Sequence, residues 1–156
     1  MATEIQQPVP PKSSPVVLVV EDESSPRAEI ARMVRGLGYR VRTTRNGREA
    51  LRYLAQQPGE VRLVLSDVIM PYMDGGELAE RARDLQPGVK LVLMSESSGG
   101  AAAEVLAAYP ELPCLRKPFG FAELYGVLSW QVGPPVAAGE IRPARPAFHR
   151  DREPAN

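Results

Sequence analysis

The chain has 156 residues, enough for one ordinary domain with terminal segments. Its 19 basic and 19 acidic residues cancel, so net charge offers no case for nucleic-acid or membrane binding, and we expect neither partner. The single cysteine, Cys114, excludes an internal disulfide, and with no signal-peptide core and no membrane-length apolar run we expect a cytoplasmic protein.

Both ends of the chain are rich in proline. Residues 1–15 contain four prolines and residues 133–156 contain five, with little apolar periodicity. Proline lacks a backbone donor and biases its neighbours away from helix. We therefore predict disordered tails at 1–15 and 133–156 around one domain at 16–132.

Short apolar runs alternate with amphipathic stretches across residues 16–132. The runs predict strands at 16–20, 39–43, 61–66, 89–94 and 112–115. Helical spacing predicts a helix that ends before Gly38, one opened by Asn46–Gly47, and three more at 75–85, 100–108 and 121–132. Asp74 is predicted to be a turn or cap residue. The alternation predicts an α/β fold, a five-stranded parallel sheet with helices on both faces.

Polar side chains follow four of the predicted strands. Glu21–Glu23 follow the first, Asp67 the third, Ser95 the fourth and Lys117 the fifth. Ligands bind at the carboxyl ends of such strands, and clustered carboxylates suit Mg2+. A carboxylate can attack phosphorus to form an acyl phosphate, while a lysine and a hydroxyl hold the phosphoryl oxygens. The pattern indicates phosphoryl transfer to aspartate.

Four segments together resemble the receiver domains of two-component response regulators. They are Val-Leu-Val-Val-Glu-Asp-Glu at 17–23, Ser-Asp-Val-Ile-Met-Pro-Tyr-Met-Asp-Gly at 66–75, Leu-Met-Ser at 93–95 and Leu-Arg-Lys-Pro-Phe at 115–119. The resemblance covers roughly residues 16–132 and implies a flavodoxin-like (βα)5 fold. It also implies a signalling module that catalyses only its own phosphorylation and dephosphorylation, rather than an enzyme acting on a separate substrate.

The resemblance implies a role for each site residue. Asp67 is the phosphoacceptor, and Asp22, Asp67 and the backbone carbonyl of Ile69 ligate Mg2+, with Glu21 acting through metal-bound water. Ser95 and Lys117 bind the phosphoryl group. The Lys117–Pro118 bond is expected to be cis. The donor is a phosphohistidine on a histidine kinase or phosphotransfer protein, and phosphorylation changes partner binding.

Three positions depart from the pattern of the family. Cys114 stands where the family usually has Tyr or Phe, so the aromatic half of the usual switch is missing. Glu96 replaces a small residue and is expected to narrow the entrance or to repel an anionic donor. Ile69, two residues past the acceptor, is expected to hinder an attacking water and to lengthen the lifetime of the phosphoryl group.

Two other functions stay open at this point. An aspartyl-nucleophile phosphohydrolase would need an acid at position 69, where this chain has Ile69. A phosphorylation-independent pseudo-receiver would use the same fold for binding alone. The sequence also leaves open a homodimer through the helix 4–strand 5–helix 5 face, and whether the domain is stand-alone or belongs to a hybrid kinase.

Overall fold

The computed structural model of the chain describes residues 9–96 and 99–136. Its strands are β1 (Val16–Val20), β2 (Arg40–Thr44), β3 (Val61–Asp67), β4 (Lys90–Ser95) and β5 (Cys114–Arg116). Its helices are α1 (Ser24–Gly36), α2 (Gly47–Gln56), α3 (Gly75–Leu85), α4 (Gly100–Ala108) and α5 (Phe121–Val132). Within these ranges, no helix is long and apolar enough to cross a membrane.

The five strands form one parallel sheet in the order β2-β1-β3-β4-β5. Side chains alternate between the two faces of each strand, and those of β1, β3 and β4 contribute to two apolar layers, one on each face of the sheet. The helices that complete one layer are α1 and α5, and those that complete the other are α2, α3 and α4. The predicted flavodoxin-like α/β fold is confirmed.

Strand boundaries differ from the prediction where pairing, rather than hydrophobicity, decides them. The β2 ladder begins at Arg40, opposite Val16, and not at Tyr39. The β5 ladder begins at Cys114 instead of at residue 112. Leu112 instead donates its backbone N–H to the Tyr109 carbonyl in a turn, and the following proline has no N–H to give the ladder.

Some described residues of each predicted tail pack against the domain. Ser14 is buried and closes a turn by donating to the Pro11 carbonyl at 2.9 Å. The hydroxyl of the fully buried Tyr39 donates to the Gly133 carbonyl at 2.9 Å, and the buried Pro135 lies against Gly38. The disorder predicted for residues 1–8 and 137–156 lies outside the described residues.

The start of α3 lies unusually close to the end of β3. Asp74 caps the helix, since its side chain accepts from the Glu77 backbone N–H at 2.9 Å, which confirms the predicted cap. A Cβ on Gly75 would lie 2.6 Å from the Asp67 carbonyl oxygen and 2.7 Å from a methyl group of Leu93. Because residue 75 is a glycine, the first turn of α3 can pack directly against the backbone of Asp67.

We expect Gly75→Ala to lower the free energy of unfolding by roughly 1–3 kcal/mol, because backbone and a buried leucine would have to move. Urea denaturation followed by circular dichroism measures this loss. Gly88→Ala is the matched control, because a Cβ there meets no heavy atom within 4 Å. Equal midpoints for the two variants would contradict the close approach of α3 to β3.

Candidate functional site

The polar residues predicted at the strand ends meet in one cavity. This cavity, of about 290 Å³, is lined by side chains from the carboxyl ends of four strands, among them Glu21, Asp22, Asp67, Ser95 and Lys117. Ile69 also lines it, with its side chain half exposed. The structure thus brings together every residue that the sequence assigned to the site.

Backbone pairing fixes the positions of these side chains. Val20 of β1 is in register with Ser66 of β3, so the next residue on each strand, Glu21 and Asp67, emerges beside the other. The backbone N–H of Lys117 donates to the Ser95 carbonyl at 2.9 Å, which ties the segment after β5 to the end of β4. The Lys117–Pro118 bond is cis, as predicted.

Lys117 is the centre of the site. Its Nζ lies 2.7 Å from Asp67 Oδ1 and 2.9 Å from Glu21 Oε2, and both carboxylates are buried. A third carboxylate, that of Glu96, approaches to 3.8 Å. One ammonium therefore neutralises only part of a larger negative charge.

The two buried carboxylates compete for ionisation. Burial raises the pKa of Asp67 to about 8, and the hydrogen bond with Glu21 adds to the rise despite the opposing effect of Lys117. Burial also acts to raise the pKa of Glu21, but hydrogen bonds with Asp67 and Lys117 outweigh it and hold that pKa below the usual value. Without a cation, the pair therefore retains a proton on Asp67 up to mildly alkaline pH.

The site has the donors that a hard cation prefers. Carboxylate oxygens of Glu21, Asp22 and Asp67 all lie within 4.8 Å of one another. Mg2+ takes oxygen ligands in an octahedral arrangement and keeps several waters, so three acids and open solvent at the exposed Asp22 fit it. These residues can hold Mg2+, which would replace the proton shared by the buried pair.

A second concavity adjoins the first. It is a groove of about 460 Å³ between α1 and the segment after β5, with apolar walls from Pro26, Ile30, Met33, Pro118 and Phe119. Glu96 and Lys117 line both concavities and so mark the boundary between them. The groove therefore reaches Lys117 from the side of α1.

Sequence reasoning missed two polar contacts of the site. It did not select Arg27, whose guanidinium donates to the Glu21 carbonyl at 3.0 Å and steadies the turn between β1 and α1. It flagged Glu96 for bulk and charge but not for the approach to Lys117. The signal for Arg27 was its place in the first turn of a helix that follows the acidic pair.

Cys114 occupies the position at which the family that the sequence resembles usually has Tyr or Phe. Its side chain is half-buried and packs against the layer formed by α2, α3 and α4. Burial raises the pKa of its thiol to about 11, so the group stays a neutral thiol at physiological pH. The residue therefore acts as a small packing group.

Comparison with known proteins agrees with this geometry. The family model described as the response regulator receiver domain matches residues 17–129. The chain is 38% identical over 111 residues to the sensor kinase CckA of Brucella abortus (strain 2308), covering 71% of this chain but only 12% of that kinase. It is 32% identical over 108 residues to the response regulator receiver protein CpdR of the same organism, covering 69% and 88% of the two chains.

A solved structure shows the same likeness. It is the receiver domain of the sensor histidine kinase PA1611 from Pseudomonas aeruginosa PAO1, with a magnesium ion coordinated in the active site cleft. The two structures superpose with a TM-score of 0.68 at 28% identity, covering 78% of this chain and 99% of that one.

We expect Asp67→Asn to stabilise the metal-free protein at pH 8 by about 1–3 kcal/mol. The pKa of Asp67 is raised from 3.8 to about 8 in the folded state, so the wild type loses stability as pH rises through that interval, and asparagine removes the loss. Denaturation in EDTA at pH 4 and pH 8 should show a difference that grows with pH. The exposed Asp84→Asn is the control and should show no such growth. If Asp67→Asn were less stable than the wild type at pH 8, the destabilising effect of ionised Asp67 would be contradicted.

Proposed function

The chain belongs to the response regulator receiver domain family, and we propose that it is a signalling module whose Asp67 accepts a phosphoryl group in a Mg2+-dependent reaction. The observation that carries this proposal is the contact of 2.7 Å between Lys117 Nζ and Asp67 Oδ1, beside a cluster of three carboxylates. This supports the proposal, because the carboxylate that would be the nucleophile, the acids that would hold the cation and the ammonium that would bind phosphate line one cavity. Phosphorylation then alters the binding of a partner.

The proposed reaction follows from the positions of these groups. An oxygen of Asp67 attacks the phosphorus of a phosphohistidine, the P–N bond breaks, and its electron pair stays on the imidazole nitrogen. The ammonium of Lys117 takes one phosphoryl oxygen, and the hydroxyl of Ser95 donates to another. Asp22, Asp67 and the backbone carbonyl of Ile69 would hold Mg2+, with Glu21 reaching it through water. A cation held there would neutralise charge on the transferring group.

We propose a histidine kinase or a histidine phosphotransfer protein as the donor. The apolar groove along α1 supports this, because it opens at Lys117 and offers apolar side chains on which a donor protein could pack. The sensor kinase and the receiver protein among the relatives are consistent with either a stand-alone chain or a part of a hybrid kinase. The compartment we propose is the cytoplasm, in keeping with the free thiol of Cys114.

We expect the purified protein to gain one phosphoryl group from acetyl phosphate, and to do so only when Mg2+ is present. Intact mass gives the stoichiometry, and backbone NMR shifts should radiate from Asp67 towards Ser95 and Cys114. Asp67→Asn and excess EDTA are the controls, and both should abolish the gain.

Other outcomes of this experiment identify the competing functions. If neither Mg2+ nor phosphodonor shifts any resonance, the site is vestigial and the chain is a phosphorylation-independent binding module. Steady hydrolysis of a generic phosphomonoester would instead indicate a phosphohydrolase. Small shifts around Cys114 in a fully phosphorylated sample would show that the conformational response is limited there.

We expect Ile69→Asn to shorten the lifetime of the phosphoryl group severalfold. Ile69 lines the cavity and is half exposed, so its apolar side chain obstructs the water that must attack the acyl phosphate, whereas an amide can bind that water. Loss of the phosphorylated mass after removal of the donor measures the lifetime. Ile69→Leu, which keeps the apolar bulk, should behave as wild type. A wild-type lifetime of seconds would contradict this role.

A further inference from the structure

We propose that Glu96 makes the site select its phosphodonor by charge, disfavouring small anionic donors over a protein donor that carries a cationic side chain beside its phosphohistidine. This inference rests on the proposed phosphorylation of Asp67. It concerns which donors reach that residue.

Glu96 is the one acid on Lys117 that can leave without disturbing the core. Its side chain is 80% exposed and its Oε1 lies 3.8 Å from Lys117 Nζ. The other two acids on that ammonium, Glu21 and Asp67, have side chains only 3% and 12% exposed, and they lie at 2.9 and 2.7 Å. Among the described residues, Glu96 is therefore the movable counter-ion of Lys117.

The place of Glu96 explains why its charge matters for the donor. Together with Lys117 it lines both the cavity around Asp67 and the apolar groove beside α1. A phosphoryl group that comes from the groove therefore meets this carboxylate beside the ammonium. A third negative charge at this point repels an incoming anion and competes with its oxygens for Lys117.

The groove indicates which donor would overcome the barrier. Glu29 also lines it, so the charged side chains on its walls are two glutamates and Lys117, set among apolar ones. The donor that fits this groove is a partner surface of apolar side chains with an arginine or lysine near the phosphohistidine. The apolar side chains would cover the apolar walls of the groove, and the arginine or lysine would pair with Glu96. That pairing would draw Glu96 away from Lys117 and leave one carboxylate fewer to compete with the phosphoryl oxygens for the ammonium.

The test compares two small donors of different charge. Acetyl phosphate is a dianion at neutral pH, and phosphoramidate carries one negative charge fewer. Rates of phosphorylation with Mg2+ are measured for the wild type, Glu96→Gln and Glu104→Gln. Glu96→Gln keeps the shape of the side chain and removes its charge. Glu104→Gln makes the same change of net charge on the exposed side of α4.

We expect Glu96→Gln to raise the rate with acetyl phosphate by about threefold to tenfold. The rate with phosphoramidate should rise less, so the ratio of the two rates increases, and 1 M salt should reduce the increase. A change in Mg2+ affinity or in the reactivity of Asp67 would alter both donors alike and leave the ratio unchanged. Glu104→Gln should leave both rates as in the wild type.

The outcomes separate this inference from the proposed function. If the wild type is phosphorylated but Glu96→Gln leaves the ratio of rates unchanged, or lowers it, the selective role of Glu96 is overturned and the receiver function stands. If no variant is phosphorylated by either donor, the proposed function itself fails. If Glu104→Gln matches Glu96→Gln, net charge rather than the contact with Lys117 is responsible, and the inference is again overturned.

Discussion

The crowding of carboxylates around one lysine is the constraint on which the rest of this structure depends. Register between β1 and β3 forces Glu21 and Asp67 into contact at the edge of a buried sheet. Two adjacent buried acids cannot both ionise at low cost, and Lys117, which follows β5, forms an ion pair with each of them. Without a cation the pair therefore keeps a proton, and a cation that takes its place finds the carboxylate oxygens already close together.

The packed interior of the sheet keeps these charged side chains close together. The residues of β1 are almost completely buried, and so are most of those of β3 and β4. Their apolar packing provides the free energy that offsets the unfavourable charges at their ends. Gly75 extends this support, because it lets α3 begin against the backbone of Asp67. Stability and reactivity thus come from different parts of the same strands, the packed interior and the polar end.

Sequence alone was sufficient for the features that follow from local pattern. Buried runs gave the strands, helical periodicity gave α3, α4 and α5 to the residue, and the residues after each strand gave the members of the site. Contacts between distant segments were not predictable in this way. Leu85 shares the apolar spacing of α3 but lies half exposed at the last residue of the helix. The pairing of Glu96 with Lys117 depends on how two loops lie after folding, and neither loop has a periodic pattern.

The anchoring of residues 133–136 has a consequence for how this domain can be tethered. Tyr39 and Gly38, which hold Gly133 and Pro135, precede β2 and so lie at the amino end of the strands, the edge of the sheet opposite Asp67. A surface, a label or a neighbouring protein attached beyond residue 136 would therefore start from the rear of the domain. A tether joined at residue 136 would therefore begin on the side of the domain away from the acidic cavity, which is a suitable starting point for immobilising the protein in binding measurements.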